Sequence, residues 1–105
     1  MDNKDRKYTV IIQDPATEML MEHARFLSQV NEAAANRLVE EFISKAKTLE
    51  YMPERCPWLT DDLIPQHKYH KLVFAKRYML VFLIVGDTVY VDAMLDCRQN
   101  YEWLI

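Results

Sequence analysis

Basic and aromatic side chains recur in the last third of the sequence in a pattern that suits phosphate and base recognition. Residues 67–77 contain four Lys or Arg side chains, two His and no acidic residue. If this stretch is a β-strand, alternate side chains share a face, so Tyr69 and Lys71 lie together, with Lys68 and His67 nearby. Cations contact phosphates, and a base stacked on an aromatic ring contributes about 1–3 kcal/mol. The pattern indicates a single-stranded RNA surface, although an ordinary solvated hairpin has the same composition.

The same alternation extends this candidate surface to neighbouring strands. Tyr90 and Asp92 occupy outward positions of a predicted strand, and continued alternation places Arg98 on the same side. Tyr101 and Arg77 are further candidates for this surface. RNA cleavage by the RNA's own 2′-hydroxyl needs only a proton acceptor, charge stabilisation at phosphorus and a proton donor. Well-placed acid–base groups increase the reaction rate about 10²–10⁴-fold.

Each of these residues also has an ordinary structural interpretation. Lys71 and Asp92 can form a cross-strand ion pair of about 0.2–1 kcal/mol. Tyr69 and Tyr90 are common strand residues that pack across strands. The alternatives of a binding face and a packed sheet therefore stay open at the level of the residues.

Titrating and metal-binding groups give weaker signals. His67 and His70 titrate nearest to neutral pH, but strand parity places His70 on the face opposite Lys71. Cys56 and Cys97 lack the spacing of zinc ligands. We therefore predict no metal site and no cofactor.

The hydropathy pattern predicts the elements that must position these residues. A β-branched run precedes Asp14 and Pro15, which are typical of a helix start, with Asp14 as the N-cap. Asn31 is placed to cap a second helix that Pro53 ends, and Gly86 lies at a hairpin turn. The predicted elements are a strand over 8–12, a helix over 15–29, a helix from 31 to 53, and strands over 69–74, 78–85 and 88–95.

This order predicts one α+β domain over residues 1–105, with the arrangement β-α-α-β-β-β. A helical hairpin packs on one face of a small antiparallel sheet, and Leu72, Val89 and Val91 point towards it. Residues 53–66 are rich in proline and should be irregular, with Trp58 and Leu59 fixing them to the body.

Length and composition exclude several classes of protein. The chain has 105 residues, is 50% hydrophobic and has a net charge of −3. These values fit one folded domain and exclude low-complexity and disordered chains. No apolar run approaches the roughly 20 residues of a membrane helix, and the polar N-terminus does not look like a secretory signal. We expect a cytoplasmic protein with no membrane partner.

Three sequence stretches resemble the RelE/ParE superfamily of type II toxin–antitoxin toxins. They are YHKLVF at 69–74, KRYMLVF at 76–82, and DTVYVD at 87–92 followed by LDCRQNY at 95–101. The resemblance implies a small toxin neutralised by a cognate antitoxin. RelE-like members are ribosome-dependent mRNA endonucleases, or mRNA interferases, that need no metal, whereas ParE-like members inhibit DNA gyrase.

The resemblance also implies roles for particular residues. Arg98 matches the basic position near the C-terminus of the family, and Tyr101 matches the aromatic position there. Lys71 matches the basic position on the family's second strand, and Arg77 corresponds to an arginine near its third strand. The first hypothesis is therefore an mRNA endonuclease with these four as catalytic residues and with His67, Lys68, Tyr69 and Tyr90 binding substrate. The alternatives are a gyrase inhibitor that acts by protein binding, and a non-toxic interaction module.

Overall fold

The computed structural model describes residues 6–97, and the chain forms two helices and a four-stranded sheet in the predicted order. The elements are β1 (Thr9–Ile12), α1 (Asp14–Ser28), α2 (Glu32–Thr48), β2 (His70–Phe74), β3 (Tyr78–Val85) and β4 (Thr88–Asp96), with a 3₁₀ turn at Pro53–Arg55. The α+β prediction is confirmed. No helix within residues 6–97 is long and apolar enough to cross a membrane.

The helix boundaries follow local signals in the sequence. Asn31 caps α2, since its side chain accepts a hydrogen bond from the Ala34 amide at 3.2 Å. The N-cap of α1 is Gln13, and Asp14 is the first helical residue, so the predicted cap is displaced by one position. Gly86 has a φ of +60° in the β3–β4 hairpin, where a left-handed backbone favours glycine.

The strand order is β1-β4-β3-β2, with β2, β3 and β4 forming the predicted antiparallel meander. The sheet is mixed, however, because β1 pairs with β4 in the parallel direction. A short hairpin forces its two strands to be antiparallel, but β1 and β4 are far apart in sequence. Their relative direction is therefore set by the path of the intervening chain, which strand patterns do not report.

A β-bulge at Asp92 reverses the alternation of β4. Val81 pairs with Ala93 while Phe82 pairs with Val91, so Asp92 is the extra residue. Before the bulge, Val89 and Val91 face the helices as predicted. After it, Met94 packs with the helix-side core and Leu95 with the opposite side. Unbroken alternation from Val89 and Val91 predicts that Ala93 and Leu95 face the helices and that Met94 and Asp96 face away from them. The bulge makes these predictions wrong.

Two apolar clusters stabilise the domain, one on each face of the sheet. The larger lies under the helices and includes Leu38 and Phe42 of α2 against Leu80 and Phe82 of β3. The smaller lies on the other face, which we call the second face, where Leu59 and Ile64 pack on Met79, Val81, Ala93 and Leu95. The second face is therefore partly covered by the chain itself.

Candidate functional site

Residues 57–64 form a cover segment that passes around the β2 edge of the sheet onto the second face. The Leu59 amide donates to the Tyr69 carbonyl at 2.7 Å, and the Lys71 amide donates to the Pro57 carbonyl at 3.0 Å. These bonds lay the start of the segment alongside β2. Leu59 and Ile64 then become buried. The prediction that Leu59 fixes this region to the body is confirmed.

The covered half of the second face replaces the open basic concavity expected from the sequence. Its centre is made of Met79 and Val81 from β3 with Leu95 from β4, all buried. The sequence had indicated a continuous cationic and aromatic surface there. An interior apolar patch instead separates the polar residues of β2 from those at the end of β4, because β3 between them is apolar on both faces.

The uncovered half of the second face is mainly apolar and aromatic. Tyr90 pairs with Leu83 on one side and with Ile11 on the other, so the three side chains form a row across β3, β4 and β1. Tyr90 and Leu83 are half-buried, and Ile11 is 41% exposed. Val85, at the end of β3 on the same face, is 56% exposed. A contiguous apolar strip therefore faces solvent on this side.

Polar groups gather at one border of this strip. The Tyr69 side chain hydrogen-bonds to the carboxylate of Asp92, and Lys68 is close enough to attract it electrostatically. The Lys68 ammonium also lies 5.2 Å from the centre of the Tyr69 ring. Burial raises the pKa of Asp92, while the Tyr69 hydrogen bond and Lys68 act in the opposite direction. Lys68 and Tyr69 therefore both interact with the Asp92 carboxylate.

Lys71 lies on the second face beside Val81, its partner on β3. The alternative of a cross-strand pair between Lys71 and Asp92 is wrong, because β3 separates β2 from β4 and Asp92 instead contacts Tyr69. Lys71 is half-buried at the border of the cover segment. Lys71 lies on β2 and stays a candidate for contacting a phosphate through its ammonium group.

Arg77 lies on the other side of the sheet, so the expectation that it shares one surface with Lys71 is wrong. Its guanidinium bonds the buried Asp96 carboxylate at 2.9 Å and lies 5.0 Å from the centre of the Tyr78 ring, which belongs to the helix-side core. These groups line a cleft of about 540 Å³ against His23 and Phe26 of α1. Arg77 lies in the turn between β2 and β3, so strand parity does not predict the direction of its side chain.

His67 and His70 belong to a group of neighbouring aromatic rings near the start of β2. His70 lies on the face opposite Lys71, as parity predicted, and it is buried between Trp58 at 3.9 Å and Phe82 at 5.4 Å. Its Nδ1 is 2.8 Å from the Cys56 carbonyl oxygen. His67 is exposed, and its ring centre is 5.1 Å from that of Trp58. Trp58 therefore attaches the cover segment through His70.

Two of the predicted catalytic residues, Arg98 and Tyr101, lie outside the described residues, and their roles stay predictions. Within residues 6–97, His, Cys, Asp and Glu side chains form no group of three that could hold a metal ion. The exposed apolar strip was not predicted from the sequence. Its signal was present, since Ile11 and Val85 are large apolar residues at the exposed end of the sheet.

Comparison with known proteins establishes what the fold is. No protein-family model matches the chain, and no curated protein is significantly similar to it in sequence. Among solved structures, a chain of the chromosomal ParDE TA system from P. aeruginosa matches with a TM-score of 0.71 and 11% identity, over 88% of this chain and 98% of that one.

A second structure, the toxin–antitoxin complex RelBE2 from Mycobacterium tuberculosis, contains a chain that matches with a TM-score of 0.58. The identity is 20%, over 90% of this chain and 97% of the other. This chain therefore shares the fold of these two chains from toxin–antitoxin systems. The shared fold extends over nearly the whole chain and agrees with the resemblance noted in the sequence.

Proposed function

We propose that this protein is the toxin of a type II toxin–antitoxin pair and is neutralised by a cognate antitoxin. The shared fold with chains of a ParDE system and a RelBE2 complex supports this class. The sequence resemblance in residues 69–101 supports it independently, since it rests on motifs rather than on backbone shape.

We further propose that the toxin acts by binding a protein target, as the ParE-like resemblance implies for DNA gyrase. The observation that carries this proposal is the exposed apolar strip of Ile11, Leu83, Val85 and Tyr90 on the second face. Contiguous exposed apolar residues mark protein-binding surfaces, whereas RNA-binding surfaces require clustered cations. The net charge of −3 agrees with a protein target.

The geometry of the basic residues argues against the endonuclease hypothesis. Lys71 and Arg77 lie on opposite sides of the sheet, and the Arg77 charge is neutralised by Asp96. An endonuclease remains the second candidate because Lys68, Tyr69, Lys71 and Tyr90 all border the second face. In that case Arg98 and Tyr101 complete the catalytic set, and the ribosome and mRNA are the partners.

Controlled induction in a bacterial host tests the choice between these mechanisms. We expect growth arrest with altered plasmid supercoiling and a DNA-damage response, while transcripts stay intact. Purified toxin should inhibit DNA supercoiling by gyrase. Prompt loss of translation with cut mRNA would instead establish the endonuclease, and harmless overexpression without an antitoxin would contradict both toxin mechanisms.

Matched variants connect the activity to the surface. Val85→Glu places a charge in the exposed strip and should weaken gyrase inhibition at least about 10-fold, because burying an unpaired charge is costly. Val30→Glu changes an 84% exposed apolar residue in the turn between the helices and serves as the control, with no effect expected. Lys71→Ala and Arg98→Ala should retain toxicity, and loss of activity in either would favour RNA cleavage.

A further inference from the structure

The outer edge of β1 is an unpaired strand edge of defined length. The amides of Thr9 and Gln13 donate to the Asp87 and Val91 carbonyls beside β4. Alternation in a parallel ladder therefore directs the backbone groups of Val10 and Ile12 away from the sheet. Within residues 6–97, no hydrogen bond to another element reaches those groups.

The edge is bounded on both sides by the fold. Before it, the Tyr8 amide already donates to the Glu50 carbonyl at 2.7 Å. After it, the chain enters α1 at Asp14. The available edge is thus three residues long and is centred on Ile11, with two outward-facing residues placed symmetrically around that centre.

Apolar side chains surround this edge. Ile11 and Ile12 are 41% and 37% exposed, and Ile43 of α2 is 56% exposed. Val10, Ile12 and Ile43 line an open groove of about 290 Å³ between β1 and α2. An unpaired edge with apolar flanks favours association with another strand.

We propose that two copies of this chain pair antiparallel through their β1 edges about a two-fold axis at Ile11. In this register, Val10 of each copy opposes Ile12 of the other, and each such pair exchanges two hydrogen bonds, giving four in total. The two Ile11 side chains become direct cross-strand neighbours, a favourable pairing for β-branched residues. The two sheets join into one of eight strands.

The charges at the two ends of the edge select this arrangement. Lys7 precedes the edge, next to Arg6, which pairs with Asp87 of its own chain, and the exposed Asp14 follows the edge. The antiparallel two-fold contact brings the basic start of each β1 beside the acidic end of the other, whereas a parallel contact would oppose like charges. The Lys7 side chain is 63% exposed beside Glu50, so it can reach a second carboxylate. The surface is therefore complementary to itself.

Sedimentation of the full chain, made by cell-free synthesis, over a range of concentrations tests the pairing. We expect a monomer–dimer equilibrium. Ile12→Pro removes an outward amide without touching the bonds to β4, so it should weaken the dimer at least about 10-fold. Val73→Pro is the matched control, since alternation from Lys71 makes the Val73 amide point outward at the opposite edge; it should leave dimerisation unchanged.

Charge exchange gives a second test. Lys7→Glu or Asp14→Lys alone should weaken the dimer several-fold, and the double variant should restore it. Amide hydrogen exchange on the unmodified chain covers the case in which proline disrupts folding: protection of Val10 and Ile12 should rise with concentration. A monomer at all concentrations, a dimer insensitive to Ile12→Pro, or exchange at these amides that is independent of concentration would each overturn the proposal.

Discussion

At the scale of single residues, Asp92 has the largest effect on how the second face is organised. As the extra residue of a bulge, it reverses the parity of β4 and brings its carboxylate to the Tyr69 side chain. Burial disfavours the charged form and raises its pKa above the ordinary value of 3.8, and Tyr69 and Lys68 offset only part of this. At neutral pH, the negative charge of Asp92 in this partly buried position therefore lowers the stability of the folded protein.

This cost predicts a pH-dependent effect of Asp92→Asn. Because the folded-state pKa is raised, the folded protein binds the proton more tightly, and the contribution of Asp92 to stability is lost as pH rises through that pKa. The variant should be more stable than the unmodified protein at pH 7, and the difference should shrink as pH falls towards 3.8. Urea unfolding at several pH values measures it.

The control for this prediction is Asp62→Asn, which changes an exposed acid in the cover segment. It should leave the free energy of unfolding nearly unchanged across the same pH range. An Asp92→Asn protein that is less stable than the unmodified one at pH 7 would show that the contacts with Tyr69 and Lys68 outweigh burial.

At the scale of elements, the cover segment explains why the second face is not an open basic surface. It is held by two backbone hydrogen bonds to β2, by the stack of Trp58 on His70, and by burial of Leu59 and Ile64. Apolar burial provides most of the attachment, because a fully buried leucine contributes about 1.5–3 kcal/mol whereas a typical hydrogen bond contributes about 1 kcal/mol.

Two leucines of this segment form a matched pair for mutation. Leu59→Ala removes a side chain that is 2% exposed and should lower the free energy of unfolding by about 2–4 kcal/mol. Leu63→Ala removes one that is 48% exposed and should change it by less than about 0.5 kcal/mol. Chemical denaturation measures both. Equal effects would mean that the segment does not pack on the sheet as described.

At the scale of the whole molecule, the basic residues are distributed over several surfaces rather than gathered on one. Lys71 lies on the second face of the sheet, and Arg77 lies against α1 on the other face. Arg6 pairs with Asp87 at the β3–β4 hairpin. The net charge is −3. Such a distribution provides little long-range attraction for a polyanion, because opposite charges close to each cation cancel its field.

This distribution predicts a weak salt dependence of target binding. If gyrase is the target, as proposed, its affinity should change by less than about 3-fold between 50 and 200 mM salt, since apolar contacts release few counterions. An RNA complex with about four phosphate contacts would lose about 50-fold over the same range. Fluorescence titration with each target at both salt concentrations measures the difference, and a steep dependence would favour the endonuclease.

The sequence by itself determined the elements of this protein. Helical spacing, the Asn31 cap, the alternation in β2 and the hairpin at Gly86 are local properties, because each depends on residues a few positions apart. For the same reason, the face on which His70 lies and the helix-facing positions of Val89 and Val91 were predictable. The stretches that resemble the RelE/ParE superfamily were also visible in the sequence, and the shared fold agrees with that resemblance.

Only the tertiary structure decided which candidate residues share a surface. The bulge at Asp92 reverses parity through a one-residue change in pairing, and the turn that contains Arg77 directs its side chain towards Asp96 and α1. The parallel direction of β1 and the path of the cover segment depend on contacts between residues distant in sequence. Local patterns predict each strand correctly but contain no information on how separate segments pack together. A binding surface is formed by residues from several such segments, so it depends on that packing.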